Sequence, residues 1–215
     1  MLKQLFSIPI ATGKIVPTEE QEKKVFDILD DAWTQATKGV WALESGLSTG
    51  ELKNGMELYQ AQEFEWLTFQ LAEKAKEYWD SLKYRQDYHL YVDSMWCNKH
   101  THGDTTGEHN HNAGRGKSTL SGVYYLRKNK DTGHLRFRDP LETIWGMCPL
   151  DYEFPEHKKQ WTWEAETHDY CIFPSWLNHS TEPYICNDER IAISINFSGY
   201  PWDSTDGDYD GIASG

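Results

Sequence analysis

The feature that most constrains this chain is a change of texture near residue 87. From there the segments Tyr88–Cys97, Thr119–Arg127, His134–Arg138, Tyr170–Phe173 and Arg190–Ser198 are rich in β-branched and aromatic residues. Such composition suits strands, and Gly, Pro, Asn and Asp punctuate the gaps. No helical periodicity of useful length lies among them. Short strands that follow one another without intervening helices call for an antiparallel sandwich or barrel, so the fold class is mainly β.

The first ~85 residues read as helical. Thr18 and Gln21 have capping-box spacing, and Val25, Leu29, Ala32, Trp33 and Ala36 then recur at helical intervals. A second stripe holds Phe64, Leu67, Leu71, Ala75, Tyr78 and Leu82, with Gly39, Gly46, Gly50 and Gly55 marking a long connection between the two. Both stripes are core-facing surfaces, not sites. The expected organisation is one domain over 1–200, with helical support over 1–86, a β core over 87–200, and an acidic, Gly-rich tail over 201–215.

Composition narrows the class of function. The 215 residues suit one large domain, and 14% aromatic content, with 10 Trp and 12 Tyr, supplies a substantial core. No run of about 18 apolar residues exists, so no membrane-spanning helix is expected. The opening MLKQLFSIPIATGK lacks the apolar stretch of a secretory signal, which points to a cytoplasmic protein. With 21 basic against 34 acidic residues, the net charge of −13 disfavours nucleic acids and anionic membranes as partners. Cys97, Cys148, Cys171 and Cys186 are widely spaced and contain no CxxC, so reduced thiols are expected.

Three local patterns are decoys. Gly-Arg-Gly-Lys-Ser-Thr at 114–119 suggests a phosphate loop, but His111 stands where its first Gly belongs and a strand follows instead of a helix. Asp206, Asp208, Asp210 and Gly211 copy half of a calcium loop without its closing acid. The glycosylation triplets at Asn178 and Asn196 lack a secretory context, and Asn196 falls within a strand.

The histidines carry the chemistry. His100, His102, His109 and His111 cluster, and His179 stands alone far downstream. Neutral imidazole is a good ligand for borderline divalent metals. Two His at i and i+2 on extended chain project to one face, so His109 and His111 can supply neighbouring corners of one coordination sphere. His179 is placed to supply the third, after the apolar strand Cys171-Ile172-Phe173 and a Pro-Ser-Trp turn.

After the HxH pair come Ser121-Gly-Val-Tyr-Tyr-Leu126, Gly133-His-Leu-Arg-Phe137 and Asp139-Pro140, and after His179 comes Arg190-Ile-Ala-Ile-Ser194-Ile-Asn-Phe197. This succession resembles the iron(II)- and 2-oxoglutarate-dependent oxygenases, in particular the family marked by HxH, SGVYYL, FPSWLxH and RxxxSxxF. The resemblance runs over about residues 87–198. It implies a double-stranded β-helix, a jelly-roll barrel with its metal at one open end, and the cofactors Fe(II) and 2-oxoglutarate. It implies His109 and His179 as metal ligands. The middle ligand in such enzymes is usually Asp or Glu, and here the position is His111. The i, i+2 geometry favours His111, while Asp104 and Glu108 stay open as carboxylate alternatives.

The resemblance also implies Arg190 as the partner of the distal carboxylate of 2-oxoglutarate, since a guanidinium can bind a carboxylate through two parallel hydrogen bonds. Ser194 shares its face, Tyr125 is the tyrosine of its strand expected to point inward, and Asn98 is a weaker candidate. The plain alternative for Arg190 is a surface ion pair with Asp188 or Glu189. The activity implied is hydroxylation of an unactivated C–H bond in a protein side chain or a small molecule. The Trp residues at 145, 161 and 163 stand as substrate lid or as capping core. Two rivals remain: a cupin-like three-His metalloprotein that does not use 2-oxoglutarate, and a non-enzymatic jelly-roll binding module.

Overall fold

The computed structural model describes residues 7–38, 45–112, 118–145, 147, 149 and 159–201, with Ile144 and Trp145 described by backbone alone. The acidic tail beyond Pro201, most of the Gly114–Thr119 decoy, Cys148 and the Trp145 side chain lie outside the described residues.

The N-terminal part holds the two expected helices, α1 (Glu19–Gln35) and α2 (Glu65–Ser81). Helix α1 opens on the capping box: the Gln21 N–H donates to Thr18 Oγ1 at 3.2 Å, and the Thr18 N–H donates to Gln21 Oε1 at 2.9 Å. The same region contributes two strands that helical periodicity does not announce, β1 (Ala11–Lys14) and β2 (Leu47–Ser48). Both are short edge strands, held by their partners' backbone and not by an apolar pattern of their own.

The remaining strands are β3 (Tyr88–His100), β4 (Leu120–Arg127), β5 (Leu135–Arg138), β6 (Gln160–Trp163), β7 (Asp169–Pro174), β8 (His179–Thr181) and β9 (Arg190–Pro201). The larger sheet has the order β1-β7-β4-β9-β3-β2, and the smaller has the order β6-β5-β8. All named pairs are antiparallel.

Strand β4 shows why the chain folds in layers. Leu120, Tyr124 and Leu126 pack with Leu67, Leu71 and Ala75 of α2, while Val123 and Tyr125 pack with Leu135, Phe137 and Trp163 of the smaller sheet. The strand is therefore apolar almost throughout, because both of its faces are covered. Strand β9 divides the same way. Ile191, Ile193, Ile195 and Phe197 join the helix-side cluster, and Ala192 joins the inner one. Period-two alternation puts Arg190, Ser194 and Asn196 on the inner face with Ala192. Their cross-strand partners on β3 are His100, Trp96 and Ser94, with Asn98 opposite Ala192.

The two sheets face each other as a jelly roll requires, but the described strands do not close into a barrel. The joining segment 103–111 is mostly loop. It runs antiparallel to 175–184 through backbone bonds at Gly103–Tyr184, Asp104–Tyr184, Thr106–Thr181, His109–His179 and His111–Ser175. The smaller sheet thus gains an irregular fourth edge that carries the HxH pair.

Candidate metal and anion site

Residues His109 and His179 form a mutual backbone pair: the His109 N–H donates to the His179 carbonyl at 3.0 Å, and the reverse bond is 2.9 Å. Directly opposed residues on antiparallel chains put their side chains on one face. The ring centroids are 4.3 Å apart. His111 follows two positions on, with its ring 5.1 Å from that of His109 and 5.0 Å from that of His179. One candidate ligand atom from each of the three lies within 4.8 Å of the others. Two asparagines clamp this arrangement, Asn110 Nδ2 donating to Asn178 Oδ1 at 2.7 Å.

The tautomers follow from the acceptors around the rings. His109 Nδ1 lies 2.9 Å from the Gly107 carbonyl, and His179 Nδ1 lies 2.8 Å from the Leu177 carbonyl. His111 Nδ1 lies 2.6 Å from Asn196 Oδ1. Each acceptor demands a proton on Nδ1, which leaves Nε2 of all three rings unprotonated. Burial keeps the rings neutral. It lowers the pKa of His109, takes that of His111 down to about 4, and holds that of His179 well below the ordinary value. Three converging neutral nitrogens are a donor set that fits a borderline divalent ion such as Fe(II).

The carboxylate alternatives lie elsewhere. Asp104 Oδ2 accepts from the Thr101 N–H at 2.7 Å and from its hydroxyl at 2.8 Å, closing a tight turn. Glu108 Oε1 accepts from Arg138 at 2.9 Å. Neither belongs to the cluster of potential ligands. His102 is exposed.

Further along the inner face, Arg190 is only 3% exposed. Its Nη1 donates to His100 Nδ1 at 2.8 Å and its Nη2 to Tyr125 Oη at 3.2 Å, while Nε has no hydrogen-bond partner among the described residues. His100 is neutral, its pKa taken down to about 3 by burial and then by the Arg190 charge. The ion-pair alternative fails geometrically. Asp188 accepts from the Tyr184 hydroxyl at 2.5 Å, and Glu189 pairs with Lys99 at 3.2 Å. Among the described residues this buried guanidinium meets neutral acceptors and its Nε is unused, which fits an incoming carboxylate.

Tyr125 therefore points inward as expected, whereas the Tyr124 hydroxyl donates outward to the Ile15 carbonyl at 3.0 Å. Ser194 and Asn98 lie on the same inner face, but no hydrogen bond among the described residues joins either to Arg190. Strand β3 runs two residues beyond Asn98, so His100 is the residue opposite Arg190. His100 was legible only as one of the clustered His. Lys128 gave no sequence signal. A register shift after Tyr125 turns it inward, and its Nζ sits 5.5 Å from the Tyr125 ring centroid. Burial, then the Arg190 charge, lowers its pKa to about 8. The tryptophans divide: Trp163 is buried 5.7 Å from the Tyr125 ring, while Trp161 is 53% exposed over Phe137.

Comparison with known proteins agrees with this geometry. Residues 94–196 match the family described as "Putative 2OG-Fe(II) oxygenase". No curated protein matches the chain by sequence. Among solved structures, a Pseudomonas putida prolyl-4-hydroxylase superposes with a TM-score of 0.57 at 12% identity, covering 89% of this chain and 92% of that one. HygX from Streptomyces hygroscopicus, solved with nickel, 2-oxoglutarate and hygromycin B, gives 0.57 at 10% identity over 89% of this chain and 83% of its own. The carbocyclase SnoK from nogalamycin biosynthesis gives 0.63 at 11% identity over 93% and 85%. The fold is that of these oxygenases, and the segment that matches the family model, 94–196, carries every residue of the site.

Proposed function

We propose that the protein is an iron(II)- and 2-oxoglutarate-dependent dioxygenase that hydroxylates a C–H bond of a protein side chain or a small molecule. The observation that carries this reading is the pairing of two features on one inner face: three His ring nitrogens converging at one end, and, further along β9, a buried Arg190 with no carboxylate partner among the described residues. His109, His111 and His179 would hold the metal through Nε2. Arg190, steadied by Tyr125 and His100, would hold the distal carboxylate of 2-oxoglutarate. Ser194 and Asn98 line the inner face between these two ends.

When bound, iron and 2-oxoglutarate supply the oxidation: one atom of dioxygen enters the C–H bond, and the keto acid loses carbon dioxide to become succinate. The chain's own contribution is orientation and exclusion of water. Phe173 and Phe137 pack against His179 with ring centroids 4.9 and 6.4 Å away, giving the site an apolar wall. Similar folds have been solved with both substrate classes, a hypoxia-inducible-factor peptide on a Trichoplax adhaerens prolyl hydroxylase and hygromycin B on HygX. Both classes stay within the proposal.

The test is anaerobic titration of iron(II) with and without 2-oxoglutarate, in wild type and Arg190→Ala. A buried charge-assisted pair contributes on the order of 2–5 kcal/mol. Arg190→Ala should therefore weaken 2-oxoglutarate binding roughly 30-fold or more while leaving metal affinity nearly intact. The three-His donor set equally suits a cupin-like protein without this cosubstrate, and that reading wins if wild type binds metal but not 2-oxoglutarate.

A further inference from the structure

His109 and His179 are oriented by backbone carbonyls, which no substitution of their own residues alters. His111 Nδ1 instead meets side chains. Asn196 Oδ1 lies 2.6 Å from His111 Nδ1 and also accepts from Ser121 Oγ at 2.8 Å. Ser121 Oγ lies 3.1 Å from His111 Nδ1 and 2.9 Å from Ser175 Oγ. Asn196 Nδ2 in turn donates to Ser94 Oγ at 3.1 Å. Asn196, Ser121 and Ser175 are 6%, 0% and 1% exposed, so the centre of this network is buried. Its members come from four places, β3, β4, β9 and the turn before β8, and all of them converge on one ring nitrogen.

We propose that Asn196, braced by Ser121, Ser175 and Ser94, is the positioning residue that aims His111 Nε2 at the metal and fixes the charge of the centre. The inference rests on the metal-centre reading above and extends it. In metal sites the group on the far nitrogen of a ligating His sets ring orientation and basicity. Here that group is a neutral amide oxygen. Three imidazoles each backed by a neutral acceptor leave the full 2+ charge of the ion for anionic co-ligands. A carboxylate at 196 would instead push electron density through the imidazole onto the metal. Asp is nearly isosteric with Asn, and both serine hydroxyls can rotate to donate to it.

The experiment uses the full chain and two probes, Co(II) alone and then Fe(II) with 2-oxoglutarate without oxygen. Asn196→Asp should bind Co(II) about 10-fold more tightly than wild type and should shift the iron–2-oxoglutarate charge-transfer band to lower energy. Asn196→Leu, which keeps the volume and removes the acceptor, should weaken Co(II) binding by about 10–100-fold. Ser121→Ala should give a smaller loss in the same direction. Circular dichroism of each variant separates loss of fold from loss of aim, and Ser121→Ala is the fallback if Asn196→Leu does not fold. Co(II) affinity that is equal across wild type, Asn196→Asp and Ser121→Ala overturns the proposal. Wild type that binds Co(II) but gives no band with 2-oxoglutarate overturns the cosubstrate reading, while the Co(II) series still decides the role of Asn196.

Discussion

His111 stands where related enzymes usually carry a carboxylate, and the residues around it say what replaces that charge. The two nearby acids are committed elsewhere, Asp104 to the turn at Thr101 and Glu108 to Arg138. His111→Ala should therefore lose more metal affinity than the ~10–100-fold attached to outer contacts, with Asp104→Ala and Glu108→Ala close to wild type. Chelator-competition titration measures all three, and a loss confined to Asp104→Ala or Glu108→Ala would restore a carboxylate ligand. The HxH pair and His179 were legible because i, i+2 spacing on extended chain is a geometric statement. Arg190 was legible through the family pattern. His100, Asn196 and Ser121 were not, because their roles come from cross-strand register, and register is set by which strands pair. Asn196 even carried a misleading local pattern.

At the scale of elements, the β segments of the sequence became strands, β3 and β9 each running three residues further than expected and the others matching within one residue, and both amphipathic stripes became helices. Period-two and helical periodicities report burial directly, so they survive folding. Strands β1, β2, β6 and β8 were missed, since strands of two to four residues carry too few side chains for a pattern. Helix α2 covers the face of the large sheet opposite the site. Leu71 is fully buried there, so Leu71→Ala should cost about 3 kcal/mol and lower the melting temperature. Metal affinity at saturating fold should not change, and a matching loss of metal binding would mean that the two faces are coupled. Gly133 makes the opposite case. Its φ is +64°, and a Cβ there would approach Tyr184 to 2.7 Å and Arg190 Cδ to 3.2 Å. Gly133→Ala should destabilise by roughly 1–2 kcal/mol through backbone strain and, on the role proposed above for Arg190, also weaken 2-oxoglutarate binding, because the added carbon presses on Tyr184 and, less closely, on Arg190 Cδ. Isothermal titration with the keto acid separates that second effect from simple loss of fold.

Over the whole molecule, a net charge of −13 surrounds an interior that holds two buried cations, Arg190 and Lys128, and four neutral histidines. The same interior sets the acid limit of stability. His100 and His111 have folded pKa values of about 3 and about 4, and those of His109 and His179 are also lowered, all chiefly by burial. On unfolding, each returns to about 6.5 and takes up a proton below that pH. A depressed folded pKa means that the stabilisation is complete above about pH 6.5 and is lost as pH falls towards the folded values. The melting temperature of the metal-free protein should therefore be flat near neutrality and fall steadily from about pH 6.5 to pH 4. A divalent ion needs the same nitrogens unprotonated, and burial keeps them so well below pH 6.5, so the rise in melting temperature that Co(II) gives at pH 7.5 should persist to about pH 5.5 and fade only as pH nears the folded value of about 4 for His111. His111→Ala should remove most of that metal-dependent rise and, because one titrating ring is gone, make the metal-free acid slope shallower. Calorimetry across this range, with and without Co(II), measures both. A metal-induced rise that is already lost between about pH 7 and pH 6, in step with ordinary imidazoles, would show that the ion is held by groups other than these buried rings.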